Sequence, residues 1–295
     1  MPAASVSHVA ECPDLGPECA GPGPEPVPYN HHVELWNAEI ALDGALGITP
    51  WLAAEIRASL RVVDVTPTYS ELDGTPKQVP DDIHHHDQTL VGPGDPWIVG
   101  RFGGRLGDLV TTARLGLTLP VGATEPDPYE LARRGASHEH IQLGTGIVMP
   151  IVGGGVAYVG GPVNVSLSYL GLYGLYVNGE GFRPPSRTFV EARGGVPVLG
   201  DRLEPFAVVS LAHEGEELWD DRPGLEGSNV RTDLLLGGGL VWTLTPGWAV
   251  DGAVRARAAR LTDAAAFDQT VALSLGVRGA FALWVDRPHA DAETR

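Results

Sequence analysis

Ten histidines, and the carboxylates set among them, are the residues of this chain best equipped for chemistry. His84, His85 and His86 run together beside Asp81, Asp82 and Asp87; His138 and His140 flank Glu139; His213 precedes Glu214, with Glu216 and Glu217 just beyond; His31 and His32 lie near the start. Imidazole is the commonest transition-metal ligand, and carboxylates can complete a site for Zn(II), Cu(II) or Ni(II). Three consecutive histidines cannot converge on one ion, whereas residues two apart in extended chain point the same way. The candidate metal ligands are therefore His84, His86, His138 and His140, and no cofactor beyond Zn, Cu or Ni is suggested. The alternative is that these are solvated loop residues holding nothing.

Catalysis needs more than a histidine beside an acid. His213 with Glu214, or His138 with Glu139, could act as base and orienter in a hydrolase. No G-x-S-x-G, H-E-x-x-H or C-x-x-C accompanies them. His138-Glu139-His140 is also too compressed for the helical zinc motif, whose ligands sit one turn apart. The chain is not expected to be an enzyme, and a membrane-bound hydrolase is only a minor alternative. The triplets Gly153-Gly154-Gly155 and Gly237-Gly238-Gly239 carry no lysine and precede no helix, so they predict bends in curved strands rather than phosphate loops.

Composition narrows the choice further. A formal net charge of -17 with one lysine, Lys77, argues against nucleic acid, which wants clustered Lys and Arg. The acidity suits cations, or simply a soluble surface. With 295 residues, 43% hydrophobic, 39 glycines, 25 prolines and 19% charged, the chain can form one large all-β unit. Its two cysteines, Cys12 and Cys19, lie in a Pro/Gly-rich segment, 1–32, and predict a small disulfide loop in an oxidising compartment.

The elements that must position these groups announce themselves by alternation. From Asn229 to Leu244, Val230, Thr232, Leu234, Leu236, Leu240, Trp242 and Leu244 share one parity, and Arg231, Asp233, Gly237, Gly239 and Thr243 the other. Side chains alternate faces along a strand, so one face is apolar and one polar. The pattern recurs from Trp248 to Leu261 and from Thr270 onward. A soluble sandwich would alternate too, but these runs of roughly 12 to 16 residues exceed the roughly 5 to 6 of globular strands and cover the roughly 9 to 11 of a tilted membrane strand.

Strands are expected at 33–47, 51–66, 95–104, 107–120, 141–158, 162–178, 187–199, 203–214, 229–244, 248–262 and 268–284. Their ends are good to about 2 to 4 residues. The connections alternate in length: tight at 48–50, near Arg105, at 160–161, 200–202 and 245–247, and longer at 67–94, 121–140, 179–186, 214–228 and near Asp263. Bacterial barrels keep short turns in the periplasm and long loops outside, and close with an even number of strands. A further strand is therefore expected before Val33, between Ser5 and Glu11 or outside this sequence. The expectation is a closed antiparallel transmembrane β-barrel of about twelve strands, ten or fourteen being the alternatives, over 33–284, with a tail at 285–295.

Trp51, Trp242, Trp248 and Trp284 fall at the short-turn end and Trp36 and Trp97 near the other, as interface girdles would. The inward, lumen-lining set is Glu55, Arg57, Arg61, Asp108, Arg114, Glu191, Arg193, Glu204, Arg231, Asp233, Asp251, Arg255, Arg257 and Arg278. Such charges either line water or pair off into a plug. Eight histidines gather on the loop side, where they bind metal, bridge through cations to lipid and lipopolysaccharide, or do nothing chemical. No charged n-region with an apolar core opens the sequence, so a leader removed earlier, a start lying upstream, or a different compartment is expected.

Gly47-Ile48-Thr49-Pro50-Trp51-Leu52-Ala53-Ala54-Glu55-Ile56, Gly92-Pro93-Gly94-Asp95-Pro96-Trp97 and Leu115-Gly116-Leu117-Thr118-Leu119-Pro120-Val121-Gly122 together resemble outer-membrane transporter-like barrels. Those barrels are related to others associated with phenol and aromatic-hydrocarbon uptake. The resemblance spans roughly Val33 to Trp284 and implies a porin-like barrel in a Gram-negative outer membrane. Its motifs mark turns and the starts of strands, and Gly94-Asp95 reads as a turn. The function expected is passage or capture of a small molecule or ion; the alternative is a structural or adhesive barrel with a plugged lumen and partner-binding loops.

Overall fold

The computed structural model describes residues 3–10, 29–78, 87–134, 136, 138, 140–223, 230–262 and 271–281. Among them are seventeen strands and one short helix. The first strands are β1 (Ala3–Ala10), β2 (Tyr29–Thr49), β3 (Leu52–Glu71), β4 (Pro76–Lys77), β5 (Gln88–Pro93), β6 (Trp97–Leu106) and β7 (Leu109–Thr118), followed by α1 (Pro128–Arg133). Then come β8 (Pro150–Tyr158), β9 (Asn164–Leu172), β10 (Phe182–Arg183), β11 (Arg187–Gly195), β12 (Leu203–Glu214), β13 (Leu218–Trp219), β14 (Arg222–Pro223), β15 (Arg231–Thr245), β16 (Trp248–Arg260) and β17 (Val271–Gly279). No described helix is long and apolar enough to cross a membrane.

Every ladder is antiparallel, and the wall is a meander. The pairing runs β1-β2-β3-β6-β7-β8-β9-β11-β12-β15-β16-β17, and β17 returns to β1 through Ala3 opposite Val271. Twelve strands take part in this circuit, while β4 and β5 attach to β3 and a separate small sheet joins β10, β13 and β14. The extra strand expected ahead of Val33 is β1, against the upper part of β2. Turns at the short end are tight: Pro246-Gly247 joins β15 to β16, with Gly247 at φ 100°, a conformation open to glycine.

Exposure along the strands is the reverse of a water-soluble sheet. On β7, Leu109, Leu115 and Leu117 are exposed while Arg114 between them is half-buried. On β15, Leu236, Leu240, Trp242 and Leu244 are exposed and the Gly237, Gly239 and Thr243 face is covered. The same holds for Val165 and Leu167 on β9 and Val254 on β16. Scattered exposed apolar residues are ordinary, but a contiguous apolar surface around a whole sheet is not. The expected tryptophans Trp51, Trp242, Trp248 and Trp36 lie on this outer face, whereas Trp97 is turned inward beneath the Arg57 guanidinium, 5.4 Å from its ring centre, and Trp284 lies outside the described residues.

Two expected strands are shorter than the alternation suggests. Residues 141–149 are irregular rather than the first half of a strand, because Gly144 and Gly146 break the pleat and Gly146 takes a positive φ. The strand expected at 162–178 stops at Leu172. Conversely β3 runs on to Glu71 where a loop was expected from Pro67, and that loop also contains β5, which pairs with β3 above β6. Gly94-Asp95-Pro96 is therefore not a turn between loop and strand but a break between two pieces of one wall strand.

Candidate functional site

Cross-strand contacts decide which face is concave. Glu55 on β3 meets Arg114 on β7 at 3.0 Å, over the intervening β6, and Arg101 on β6 at 3.1 Å. Asn164 on β9 donates to Glu204 on β12 at 2.8 Å, over β11. Glu191 on β11 accepts from Arg255 on β16 at 2.9 Å and from Ser210 on β12 at 3.0 Å. Strands β11 and β16 are three spacings apart, about 14 Å on a flat sheet, where side chains standing perpendicular would not converge. The polar face therefore curves inward upon itself. A double-mutant cycle with Glu191→Gln and Arg255→Met should show a coupling of about 1–2 kcal/mol in urea unfolding; a coupling near zero would contradict the contact.

Most of the inward set pairs off along this face. Arg57 donates to Glu39 at 2.6 Å and to Asp43 at 3.2 Å; Arg193 meets Glu204 at 2.5 Å with Phe206 beneath it; Arg278 meets Asp251 at 2.8 Å. Arg231 and Arg187 clasp Glu214 at 2.6 and 2.7 Å, and Arg257 stands 3.7 Å from Asp233, the pair almost wholly buried. Asp108 is different: it falls in the exposed Gly107-Asp108 turn, 4.0 Å from Arg105, and so sits at the rim rather than in the interior.

Arg61 has another task. Its Nη1 donates to the carbonyls of Gln142 and Leu143, at 3.1 and 3.0 Å, and so ties down the segment 119–149. Ile141 and Leu143 pack on Val33, Val63 and Val65 of the inner face, and Ile147 and Met149 on Val99, Ile151 and Leu172. The segment thus lies against the concave side. Asp95, in the break between β5 and β6, is its principal anchor: Oδ1 accepts from the amides of Val121 and Gly122 at 3.0 and 2.9 Å, and Oδ2 from the amide and hydroxyl of Thr145 at 2.7 and 2.6 Å. One carboxylate so fastens both ends of the segment to the wall. Asn178 donates to the Thr145 carbonyl at 3.2 Å, the Tyr176 hydroxyl accepts from Val148 at 2.9 Å, and Thr118 Oγ1 accepts from Met149 at 3.0 Å.

The two arms of the segment touch at Gly122 and Gly144, where a Cβ on either would stand within 2.5 Å of the other's backbone. Gly122→Ala is expected to cost about 1–3 kcal/mol, the usual range for overpacking, read as a lowered urea midpoint. Sequence reasoning assigned Asp95 to a turn and 141–149 to the wall. The signal against both was present in Pro93, Pro96, Gly144, Gly146 and Pro150, too many breakers for continuous strands.

The histidines come together only in part. His138 and His140 have ring centres 5.3 Å apart, and His140 lies 5.5 Å from Tyr129 of α1. His138 is buried, and its Nδ1 is 3.0 Å from the Ala136 carbonyl, which can only accept, so that nitrogen carries the proton. His84 and His86 lie outside the described residues, as do Cys12 and Cys19. Among the described residues no three His, Cys, Asp or Glu are grouped to hold a metal ion. The hydrolase pairing His213 with Glu214 is not made: adjacent on a strand, they face opposite ways, His213 to Thr232 Oγ1 at 2.9 Å and Glu214 to its two arginines. Tyr129, Phe182 and Trp219 form a small aromatic core between α1 and the sheet of β10 and β13.

No family model and no curated protein matches the sequence significantly. Among solved structures, an outer membrane channel from Pseudomonas putida F1 superposes with a TM-score of 0.55 at 12% identity, over 94% of this chain and 91% of that one. At that identity the likeness establishes architecture alone: the chain has the all-antiparallel β fold of that outer membrane protein.

Proposed function

We propose that this chain is a closed twelve-stranded outer-membrane β-barrel that passes or captures a small solute through an interior narrowed by the segment 119–149. The observation that carries the reading is the inverted exposure of its strands, apolar outside and ion-paired inside, which is stable only where hydrocarbon replaces water on the outer face. The shared architecture with an outer membrane channel supports it. The polar, partly covered groups of the inner face suit a hydrated solute or ion; the near-complete pairing of their charges leaves the path narrow and electrically balanced.

Protein refolded in detergent should run faster on gels unheated than boiled, show β-rich circular dichroism, and give discrete conductance steps in planar bilayers. Loss of the first two results would remove the membrane reading. A second reading, a structural barrel with a plugged interior, draws on the many hydrogen bonds that hold 119–149 in place. Heat-modifiable mobility without any conductance would select it.

A further inference from the structure

Arg61 stands on the inner face of β3 with no carboxylate against it. Its Nη1 is taken by the carbonyls of Gln142 and Leu143, and among the described residues its Nε and Nη2 have no hydrogen-bond partner. The acids that act on it do so from a distance: Glu39 is held by Arg57 at 2.6 Å, and Asp95 is filled by its four donors from the segment 119–149. Arg187, on β11, is a second cation only partly matched. Its Nε donates to Glu214 at 2.7 Å, while its two terminal nitrogens have no partner among the described residues. Glu214 is shared with Arg231 at 2.6 Å, so two guanidinium groups answer one carboxylate and a net positive charge is left over.

These two cations meet across the interior. Strand β11 lies five places along the wall from β3, by way of β6, β7, β8 and β9, which is about 24 Å on a flat sheet. Yet Arg187 is close enough to Arg61 to repel it. Arg187 also stands opposite Leu172, which packs with Ile147 and Met149 of the inner segment. The two guanidinium groups therefore face each other over the concave side, where the segment narrows it, and an anion between them would relieve their repulsion. An uncovered ring lies next to them. Phe189, two residues from Arg187 on the same strand, shares its inward face, stands opposite Leu170 and Ala212, and is 41% exposed. It takes no part in the apolar clusters that hold the segment. Aromatic surface turned into a polar interior and left bare is surface that a ligand can cover.

We propose that this place binds an organic monocarboxylate with an apolar ring or chain, its carboxylate between Arg61 and Arg187 and its body over Phe189. The inference rests on the barrel reading and names the class of solute that the interior takes. Guanidinium groups match carboxylate oxygens with paired N–H donors, and both arginines keep such donors unused among the described residues. Same-face neighbours on a strand lie about 7 Å apart, a span that a molecule of benzoate size covers from its charged end to its apolar end. An inorganic anion would meet the cations and leave the ring bare. A neutral aromatic would meet the ring and leave the cations unrelieved.

Calorimetric titration of the refolded 295-residue chain in nonionic detergent, with protein-free micelles as the blank, tests the proposal. Sodium benzoate should give a saturable event at one site per chain. Benzyl alcohol, which keeps the ring and loses the charge, should give none, and acetate, which keeps the charge and loses the ring, should bind at least about tenfold more weakly. Arg187→Gln leaves Glu214 with Arg231 and should weaken benzoate by about ten- to hundredfold, the loss of one charge-assisted contact. Arg61→Gln should do the same, and because it also frees the carbonyls of Gln142 and Leu143, the Arg187 variant is the decisive one of the two. Phe189→Ala should weaken benzoate by about two- to tenfold and leave acetate unchanged. No saturable event with benzoate, or benzoate binding unaltered in the Arg187 variant, overturns the site. Inorganic phosphate or benzyl alcohol binding as tightly as benzoate overturns the class of ligand. Heat-modifiable mobility measured on the same samples separates these failures from failure of the barrel: it persists when only the site is wrong and is lost when the fold is.

Discussion

Arginine in place of Leu115 is expected to destabilise the folded protein by about 2–4 kcal/mol in lipid vesicles, the cost of a lipid-facing cation near the bilayer midplane. Leu115 is 64% exposed on β7. In a water-soluble protein a substitution at so open a site would stay within about 0.5 kcal/mol. The two environments thus predict results that differ by several-fold in measured stability. Urea titration of tryptophan fluorescence, in vesicles and at equilibrium, reads the difference. The adjacent residue provides an internal control, because Arg114 faces the other way, onto Glu55. Arg114→Leu leaves Glu55 with Arg101 at 3.1 Å and should cost only about 1 kcal/mol. A Leu115→Arg protein as stable as the parent would mean that the apolar stripe does not face acyl chains.

The second large effect is expected at Asp95. Its carboxylate accepts four hydrogen bonds that fasten Val121, Gly122 and Thr145, and bonds to a charged acceptor are worth roughly 1.5–3 kcal/mol each. They share one acceptor and are not additive, so Asp95→Ala should weaken the hold on the segment by about 3–5 kcal/mol. Amide exchange at Val121, Gly122 and Thr145 should accelerate, while amides of β11 and β12 keep their protection. Released from the wall, the segment no longer narrows the interior, and single-channel conductance should rise several-fold and become noisier. Asp95→Asn keeps one carbonyl acceptor but turns an amide donor toward the remaining N–H and O–H groups, so an intermediate effect is expected. Unchanged conductance and exchange in the alanine variant would show that the segment is not held by this residue.

Alternation carried most of the wall, because a strand covered on one face and exposed with apolar side chains on the other writes its orientation in every second residue. Leu203–Glu214, Trp248–Arg260 and Arg231–Thr245 lie where parity places them. Glu55, Arg114, Glu191 and Arg255 each stand beside an exposed apolar neighbour, Ile56, Leu115, Val190 and Val254, and so turn to the opposite face. What parity could not convey was the interior packing. Ile141, Leu143, Ile147 and Met149 alternate as a strand would, yet they pack inward against Val33, Val63, Val65 and Val99. Their apolar rhythm is the same whether the partner is lipid or the inner face, and only the breakers Gly144, Gly146 and Pro150 separate the two. Asp95 was illegible for a related reason: turn chemistry and anchoring chemistry both use an acid beside glycine and proline. The histidines are a different case. Of the four candidate ligands His84 and His86 lie outside the described residues, and His138 and His140 come together.

The meander also bears on how the chain reaches its shape. Each wall strand except β1 and β17 hydrogen-bonds to the wall strand before it and the wall strand after it, so eleven of the twelve ladders can form between segments that are near one another along the chain. Loop closure over such separations is cheap. Only the meeting of Ala3 with Val271 draws together the distant ends. Growth by successive hairpins should therefore be fast and the final circularisation slow, a nearly complete curled sheet accumulating before it. In refolding time courses, circular dichroism should accordingly reach its plateau well before resistance to denaturation by detergent on gels.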